Sequence, residues 1–198
     1  MTRDTRDFRR AWQSLLQECT FAANYHLAYR VSGSQLARNQ VLEQLLPGFA
    51  YVRLVSFADD ALAAYMERRD LRCTHLTSKG QRRHRKEDLF NRTECLAADG
   101  FLKEEQAEAL HRMRERRKPL AHDGDAASPS WEELEKAIDA AEDVLAALDL
   151  VEAGIRYEAV ATKHKIESID GKLVQRFTLG VSSAGKVVRE IGWRLDYG

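Results

Sequence analysis

The sequence is poor in cysteine, carries no net charge and contains no long apolar run. Its three cysteines, Cys19, Cys73 and Cys95, have neither metal-ligand nor disulfide spacing, so we expect reduced thiols of a cytoplasmic protein with no metal site and no cofactor. Lys plus Arg equals Asp plus Glu at 31 each, so a polyanionic partner would have to bind a local patch. No apolar run approaches the roughly 18 residues that span a bilayer, and none follows the charged start as in a signal peptide. We expect no membrane segment.

Residues 4–152 mostly show the three- and four-residue apolar spacing of amphipathic helices. The spacing predicts a first helix over 4–30 and a second one, capped by Ser34, that ends at Pro47 and Gly48. The next segment, 49–66, is apolar around much of its circumference, so we expect it to be the central buried helix.

Three further helices are predicted before the chain changes character. Asp99 and Gly100 stop a short one, a longer one runs into Pro119, and Ser130 with Glu133 forms a capping box before the last.

The segment 77–88 is polar and basic and is predicted to be a loop. Lys79, Arg82, Arg83 and Arg85 lie in it and are candidates for binding RNA phosphates. An ordinary solvated loop explains the same composition equally well.

The candidate catalytic residues are Arg117, at the end of the helix that runs into Pro119, and His122, in the turn that follows it. On a wheel of about 100° per residue, Arg117 points along the apolar face, whereas Arg116 is rotated about 100° away and His111 faces solvent. Since proline disfavours helix at the preceding residue, Lys118, the helix is expected to unwind just before His122 and to bring its imidazole beside the Arg117 guanidinium.

An arginine and a histidine placed in this way suit phosphodiester cleavage without a metal. Histidine exchanges protons near neutral pH, and arginine neutralises the charge that builds on a phosphate in the transition state. The alternative is a purely structural role, in which the histidine caps the end of a helix and the arginine beside it contributes to packing.

After Gly154 the sequence is rich in β-branched and aromatic residues. Asp170 and Gly171 form a strong hairpin signal, and Ala184 with Gly185 forms a weaker one, which together predict a three-stranded antiparallel meander. We therefore divide the chain into a helical domain, 1–152, and a β-rich extension, 153–198.

Two segments, Asp88–Leu102 (DLFNRTECLAADGFL) and Arg117–His122 (RKPLAH), resemble the HEPN superfamily, whose name stands for higher eukaryotes and prokaryotes nucleotide-binding. The polar turn after His122 and the Ser130 cap are similar to its abortive-infection branch. The resemblance covers roughly residues 5–150, and the Arg–His segment is its specific part.

This resemblance implies an antiparallel α-helical bundle that forms a homodimer with both Arg–His pairs in one cleft. It also implies a metal-independent endoribonuclease of a toxin or antiphage defence system, with RNA as substrate and an antitoxin or another defence-system protein as a partner. Carried over, Arg117 would stabilise the phosphorane and His122 would be the acid or base, while Arg116 and Lys118 would contact RNA beside them.

Two other hypotheses remain open. Lys118 stands where the superfamily usually has Asn, Asp or His, and this favours a non-catalytic dimerisation or protein-interaction module. A nucleotide-binding or nucleotidyl-modified toxin is the third.

Overall fold

The computed structural model describes residues 5–24, 36–76, 82–84, 88–122, 127–184 and 186–197. These residues form five helices and two antiparallel sheets, and no helix among them combines the length and apolarity that crossing a bilayer requires. The predicted fold class, mainly α with a small C-terminal antiparallel meander, is confirmed. In chain order the elements are α1 (Thr5–Asn24), α2 (Leu36–Arg68), β1 (Thr74–Leu76), β2 (Arg82–His84), α3 (Leu89–Ala98), α4 (Glu104–His122), α5 (Trp131–Ala147), β3 (Glu158–Ile169), β4 (Lys172–Ser183) and β5 (Lys186–Tyr197).

The chain forms two compact units. One consists of Met1–Trp12 with Pro47–Ala153, and the other of Gln13–Leu46 with Gly154–Gly198. The division into domains after residue 152 concerns the organisation of the sequence and stays a prediction.

The second half of α2 supplies the centre of the first unit's core. Leu54 and Leu62 have no exposed surface, and the indole of Trp12, also fully buried, packs 5.6 Å from the ring of Phe57. Burial of each such leucine contributes about 1.5–3 kcal/mol. The predicted buried helix over 49–66 is therefore present, although Phe49 at its start is 69% exposed.

The predicted helix end at Pro47 and Gly48 is wrong, because α2 continues through both as one helix of 33 residues. Proline removes a single backbone donor, and the rest of the helix can continue around it. Gly48 is required by a close approach: a Cβ there would lie 2.9 Å from Ser128 Oγ and 3.9 Å from Leu120 Cδ2. This glycine therefore lets another segment pack against α2 and does not mark a turn.

Caps delimit α3 and α5, and two of them, the stop of α3 at Gly100 and the capping box of α5, were predicted. Helix α3 is capped by Asp88, whose carboxylate accepts from the backbone N–H of Asn91, and it stops before Gly100, which has a φ of 75°. The capping box of α5 is confirmed, with Glu133 N donating to Ser130 Oγ at 3.1 Å and Ser130 N donating to Glu133 Oε2 at 2.8 Å.

The basic segment is only partly a loop. Strands β1 and β2 pair antiparallel, with His75 opposite Arg83, so the predicted loop over 77–88 is wrong for Arg82–His84. Composition alone did not reveal this short hairpin.

The C-terminal sheet has the predicted order β3-β4-β5, with antiparallel pairing throughout. Asp170 and Gly171 have φ angles of 51° and 75°, as a tight hairpin turn with a right-handed twist requires. Ala184, at the second turn, has a φ of 49°, which an alanine adopts at a cost in energy.

Candidate functional site

Helix α4 carries both predicted catalytic residues, and it continues through Pro119 to His122. The predicted unwinding before His122 is therefore wrong. Five residues apart on one helix, Arg117 and His122 point about 140° away from each other and are displaced by about 7.5 Å along the axis. His122 is exposed at the helix end. A single chain therefore does not place this guanidinium and imidazole side by side.

Packing on both sides of Pro119 explains why the helix does not break there. Leu110 and Met113 are buried before the proline, and beyond it the side chain of Leu120 lies against α2 at Gly48. These contacts offset the loss of one backbone hydrogen bond, so tertiary structure overrides the local preference of the residue before proline.

Arg116 lies in a polar cluster formed by α2, α4 and α5. Its Nε is 3.7 Å from Glu133 Oε1, and its side chain is 31% exposed. The same cluster includes Tyr51 of α2: burial raises the pKa of this phenol above its ordinary 10.0, Arg116 partly opposes the shift and Glu133 adds to it. Tyr51 is therefore a neutral hydroxyl beside a charged pair.

Three polar atoms in this region are sealed from solvent without a hydrogen-bond partner: Arg116 Nε, Arg117 Nε and Ser128 Oγ. In the described part of the chain only Trp12 Nε1 shares this condition. Leaving a buried donor unsatisfied costs about 1–3 kcal/mol, and such groups are rare in folded proteins. Two of them belong to consecutive residues of α4, Arg116 and Arg117, which makes these two arginines the candidates for binding a ligand.

The chemistry of this arrangement favours an oxyanion. Guanidinium groups are permanently charged and present several donors in a fork that matches the oxygens of phosphate or carboxylate. Glu133 already neutralises part of the charge of Arg116. Arg117, whose Nε has no described acceptor, is therefore the residue best placed to bind an anionic ligand.

Among the other predicted RNA-binding residues, the structure describes the side-chain contacts of Lys118. Lys118 Nζ binds both carboxylate oxygens of Glu115, at 2.6 and 2.8 Å. Arg82 and Arg83 lie on strand β2, for which the structure describes the backbone only. Lys79 and Arg85 lie outside the described residues. A contribution of the basic segment to RNA binding stays a prediction.

The structure also groups an arginine and a histidine that the sequence analysis did not pair. His111 of α4 is expected from the helical wheel to face solvent, but it is only 25% exposed and its Nε2 lies 2.8 Å from Glu94 Oε1 of α3. Its ring centroid is 4.8 Å from that of Phe90, and the guanidinium carbon of Arg114 lies 5.3 Å from the same ring. The three-residue spacing of His111 and Arg114 in the sequence indicates that they share a helix face, but the sequence does not indicate that α3 packs against that face.

For the described residues, no group of three or more His, Cys, Asp or Glu side chains is placed to hold a metal ion.

Comparison with known proteins gives a family and no activity. Residues 52–169, which include α3, α4 and α5 in full, match a family described as Domain of unknown function (DUF4145). No curated protein and no solved structure shows a significant match to the chain.

Proposed function

The chain belongs to the DUF4145 family, whose description names no activity, and we propose from the geometry of α4 that it is an RNA-binding helical domain acting in the cytoplasm. One observation carries the proposal: Arg117 has no described acceptor at Nε, keeps part of its surface exposed and lies next to Arg116, whose charge Glu133 balances only in part at 3.7 Å. A backbone phosphate that binds the exposed part of the Arg117 side chain supplies the negative charge that balances its guanidinium.

The charge distribution along α4 supports the same proposal. Its first turns are acidic, with Glu104, Glu105 and Glu108, whereas its second half contains three arginines and a lysine against one glutamate. Since the chain as a whole is neutral, this half of α4 is a local basic patch of the kind that a phosphate backbone requires.

The test is RNA binding by an Arg117→Ala variant, measured as fluorescence anisotropy of a labelled single-stranded RNA. Loss of one charge-assisted contact weakens binding by about 1.5–3 kcal/mol, so we expect the Kd to rise roughly 10-fold or more. The dependence of log K on log salt should also become shallower by about 0.7 for the phosphate contact that is lost.

Arg112→Ala is the matched control. It removes the same charge from the same helix, but its side chain is 70% exposed and is paired with Glu108 at 3.3 Å. We expect the Kd of this variant to change less than about twofold, because exposed pairs contribute little. Equal losses in both variants would show that only net charge matters and would contradict a specific site at Arg117.

The second candidate function is a metal-independent endoribonuclease of a toxin or antiphage defence system. It is favoured by the exposure of His122 at the end of α4, where it is accessible to a ligand. Because Arg117 and His122 diverge within one chain, this mechanism requires a homodimer in which His122 of one copy meets Arg117 of the other.

Incubation of total RNA with the protein in EDTA tests that candidate, together with light scattering to determine the oligomeric state. Cleavage by a wild-type dimer and its loss in His122→Ala would support the mechanism. A monomer, or cleavage that survives His122→Ala, would exclude it. A protein that binds RNA without cutting it would act as an interaction module, for which an antitoxin or another defence-system protein is the proposed partner.

A further inference from the structure

Strand β5 forms one edge of the C-terminal sheet. In the described part of the chain it pairs with β4 on one side and has no strand on the other. Its pairing with β4 is continuous from Arg189 to Tyr197, and the register shift lies earlier, at Val188. The continuous stretch contains neither proline nor lysine, two residues that often protect an exposed edge. β5 therefore presents a regular row of backbone donors and acceptors to a further strand.

The opposite edge, β3, is better protected. Its register with β4 shifts between Ala161 and Lys163, so this strand contains a bulge. Lys163 and Lys165 follow the bulge directly. Bulges and lysines both oppose pairing with another strand. Of the two edges, β5 is the one that is open to pairing.

Alternation divides the positions of β5 between the two faces of the sheet. Arg189 lies opposite Val181, which has no exposed surface, so the face that these two positions share is covered. The other positions of β5 on the covered face are Ile191, Trp193, Leu195 and Tyr197. The opposite face has Glu190, Gly192, Arg194 and Asp196. The first set is mainly apolar and the second is polar, as in a sheet with one solvated face.

The polar face contains a row of unbalanced charge. Lys165 lies opposite Arg176, and Arg176 lies opposite Arg194, so three cations follow one another across the three strands. Like charges directly opposite each other destabilise a sheet. The next position in this row lies beyond the edge of β5, where a carboxylate would balance the charge of Arg194.

A second copy of the chain supplies that carboxylate. We infer that two copies pair antiparallel through β5, with Gly192 opposite Gly192 on a two-fold axis, and form one six-stranded sheet. Glu190 of each copy then lies opposite Arg194 of the other and ends its row of cations. The same register keeps odd-numbered positions opposite odd-numbered ones, so the covered faces of the two copies join on one side.

Neighbouring registers lack this complementarity. An axis at Trp193 would place Glu190 opposite Asp196, and an axis at Arg194 would place two arginines opposite each other. An axis at Ile191 would leave Glu190 and Arg194 without an opposite charge. The pairing at Gly192 is therefore the register that the charges of β5 favour.

This interface uses the β-rich extension alone. It does not depend on the proposed RNA binding, and it differs from the homodimer of the second candidate function, which brings residues of α4 together.

The test measures the dissociation constant of the dimer by sedimentation equilibrium of the full chain. Glu190→Arg and Arg194→Glu each replace two attractive pairs by two repulsive ones, so we expect the Kd to rise about tenfold or more in either variant. An equimolar mixture of the two variants should restore a dimer, because every arginine then faces a glutamate across the axis. Damage to the fold of a single chain would not be repaired by mixing. Arg194→Glu also removes a like-charge pair with Arg176, so we expect this variant to fold.

Asp196→Lys is the matched control. It reverses a charge on the same strand and the same face, but its position lies opposite the bulge at Val188 of the second copy, so the Kd should change less than about twofold. A monomeric wild type, a dimer that neither Glu190→Arg nor Arg194→Glu weakens, or a mixture of these variants that stays monomeric would overturn the inference. Loss of the dimer in Asp196→Lys would refute the register at Gly192. A monomer whose RNA binding weakens in Arg194→Glu would assign the row of cations to a phosphate backbone and would also overturn the inference.

Discussion

Replacement of Arg117 by methionine should stabilise the protein while it weakens RNA binding. The unsatisfied Nε costs about 1–3 kcal/mol, and the lower end applies because the side chain is only half-buried. Arg117 lies before the last turn of α4, outside the range of the helix dipole, so the loss of its charge costs little through that term. Methionine keeps an unbranched stem and a similar helix propensity, so packing changes little. The balance is a gain of about 1 kcal/mol in the free energy of unfolding.

Urea denaturation followed by circular dichroism measures this change, and the melting temperature should rise by about 2–4 °C for a chain of this size. Arg112→Met, at an exposed position of the same helix, should stay within about 0.5 kcal/mol of the wild type. If Arg117→Met lowered stability by more than about 1 kcal/mol, the arginine would be held by contacts within the chain. The argument that it awaits a ligand would then be refuted.

Three further changes test the fold around the site. Gly48→Ala should destabilise the protein by about 1 kcal/mol, because overpacking against Ser128 Oγ at 2.9 Å outweighs the gain in helix propensity. The double variant with Ser128→Ala should regain the wild-type stability. A Gly48→Ala protein that resists urea better than the wild type would contradict this. The free energy of unfolding should decline as pH rises above 10.0, because the pKa of Tyr51 is raised in the folded state and its phenol therefore ionises first in the unfolded chain. Tyr51→Phe should reduce the decline of the urea midpoint over this pH range. An unchanged decline would show that the phenol is not linked to folding. Ala184→Gly should raise the melting temperature, since a φ of 49° strains alanine by about 1 kcal/mol, and a lower melting temperature would disprove strain at this turn.

Periodicity and local signals predicted much of the fold. The apolar spacing of the helices, the stop at Gly100, the capping box at Ser130 and the hairpin at Asp170 each depend on a few neighbouring residues, and the structure has all of them. Such features need no knowledge of what packs against them.

The two prolines inside helices could not be interpreted from local sequence. At Pro47 and Pro119 the local preference is for a break, but contacts with distant segments keep both helices continuous. Gly48 illustrates the same limit, because its reason for being glycine is a serine that lies 80 residues further along the chain.

The same limit applied to the candidate sites. Arg117 was predicted to face inward and is indeed half-buried with a sealed Nε, but the partner expected for it, His122, depends on a helix break that is absent. The pairing of His111 with Glu94 requires knowledge of which face of α3 meets α4, and a single sequence does not provide it.

The two carboxylate oxygens of Glu133 contact different groups. Oε2 accepts from the first backbone amide of the α5 cap, and Oε1 faces the guanidinium of Arg116. A ligand that draws this guanidinium away therefore alters the electrostatic surroundings of the amide protons of Ser130 and Glu133 without contacting them. The NMR chemical shifts and hydrogen-exchange rates of these two amides should therefore change as an unlabelled ligand fills the site at Arg116.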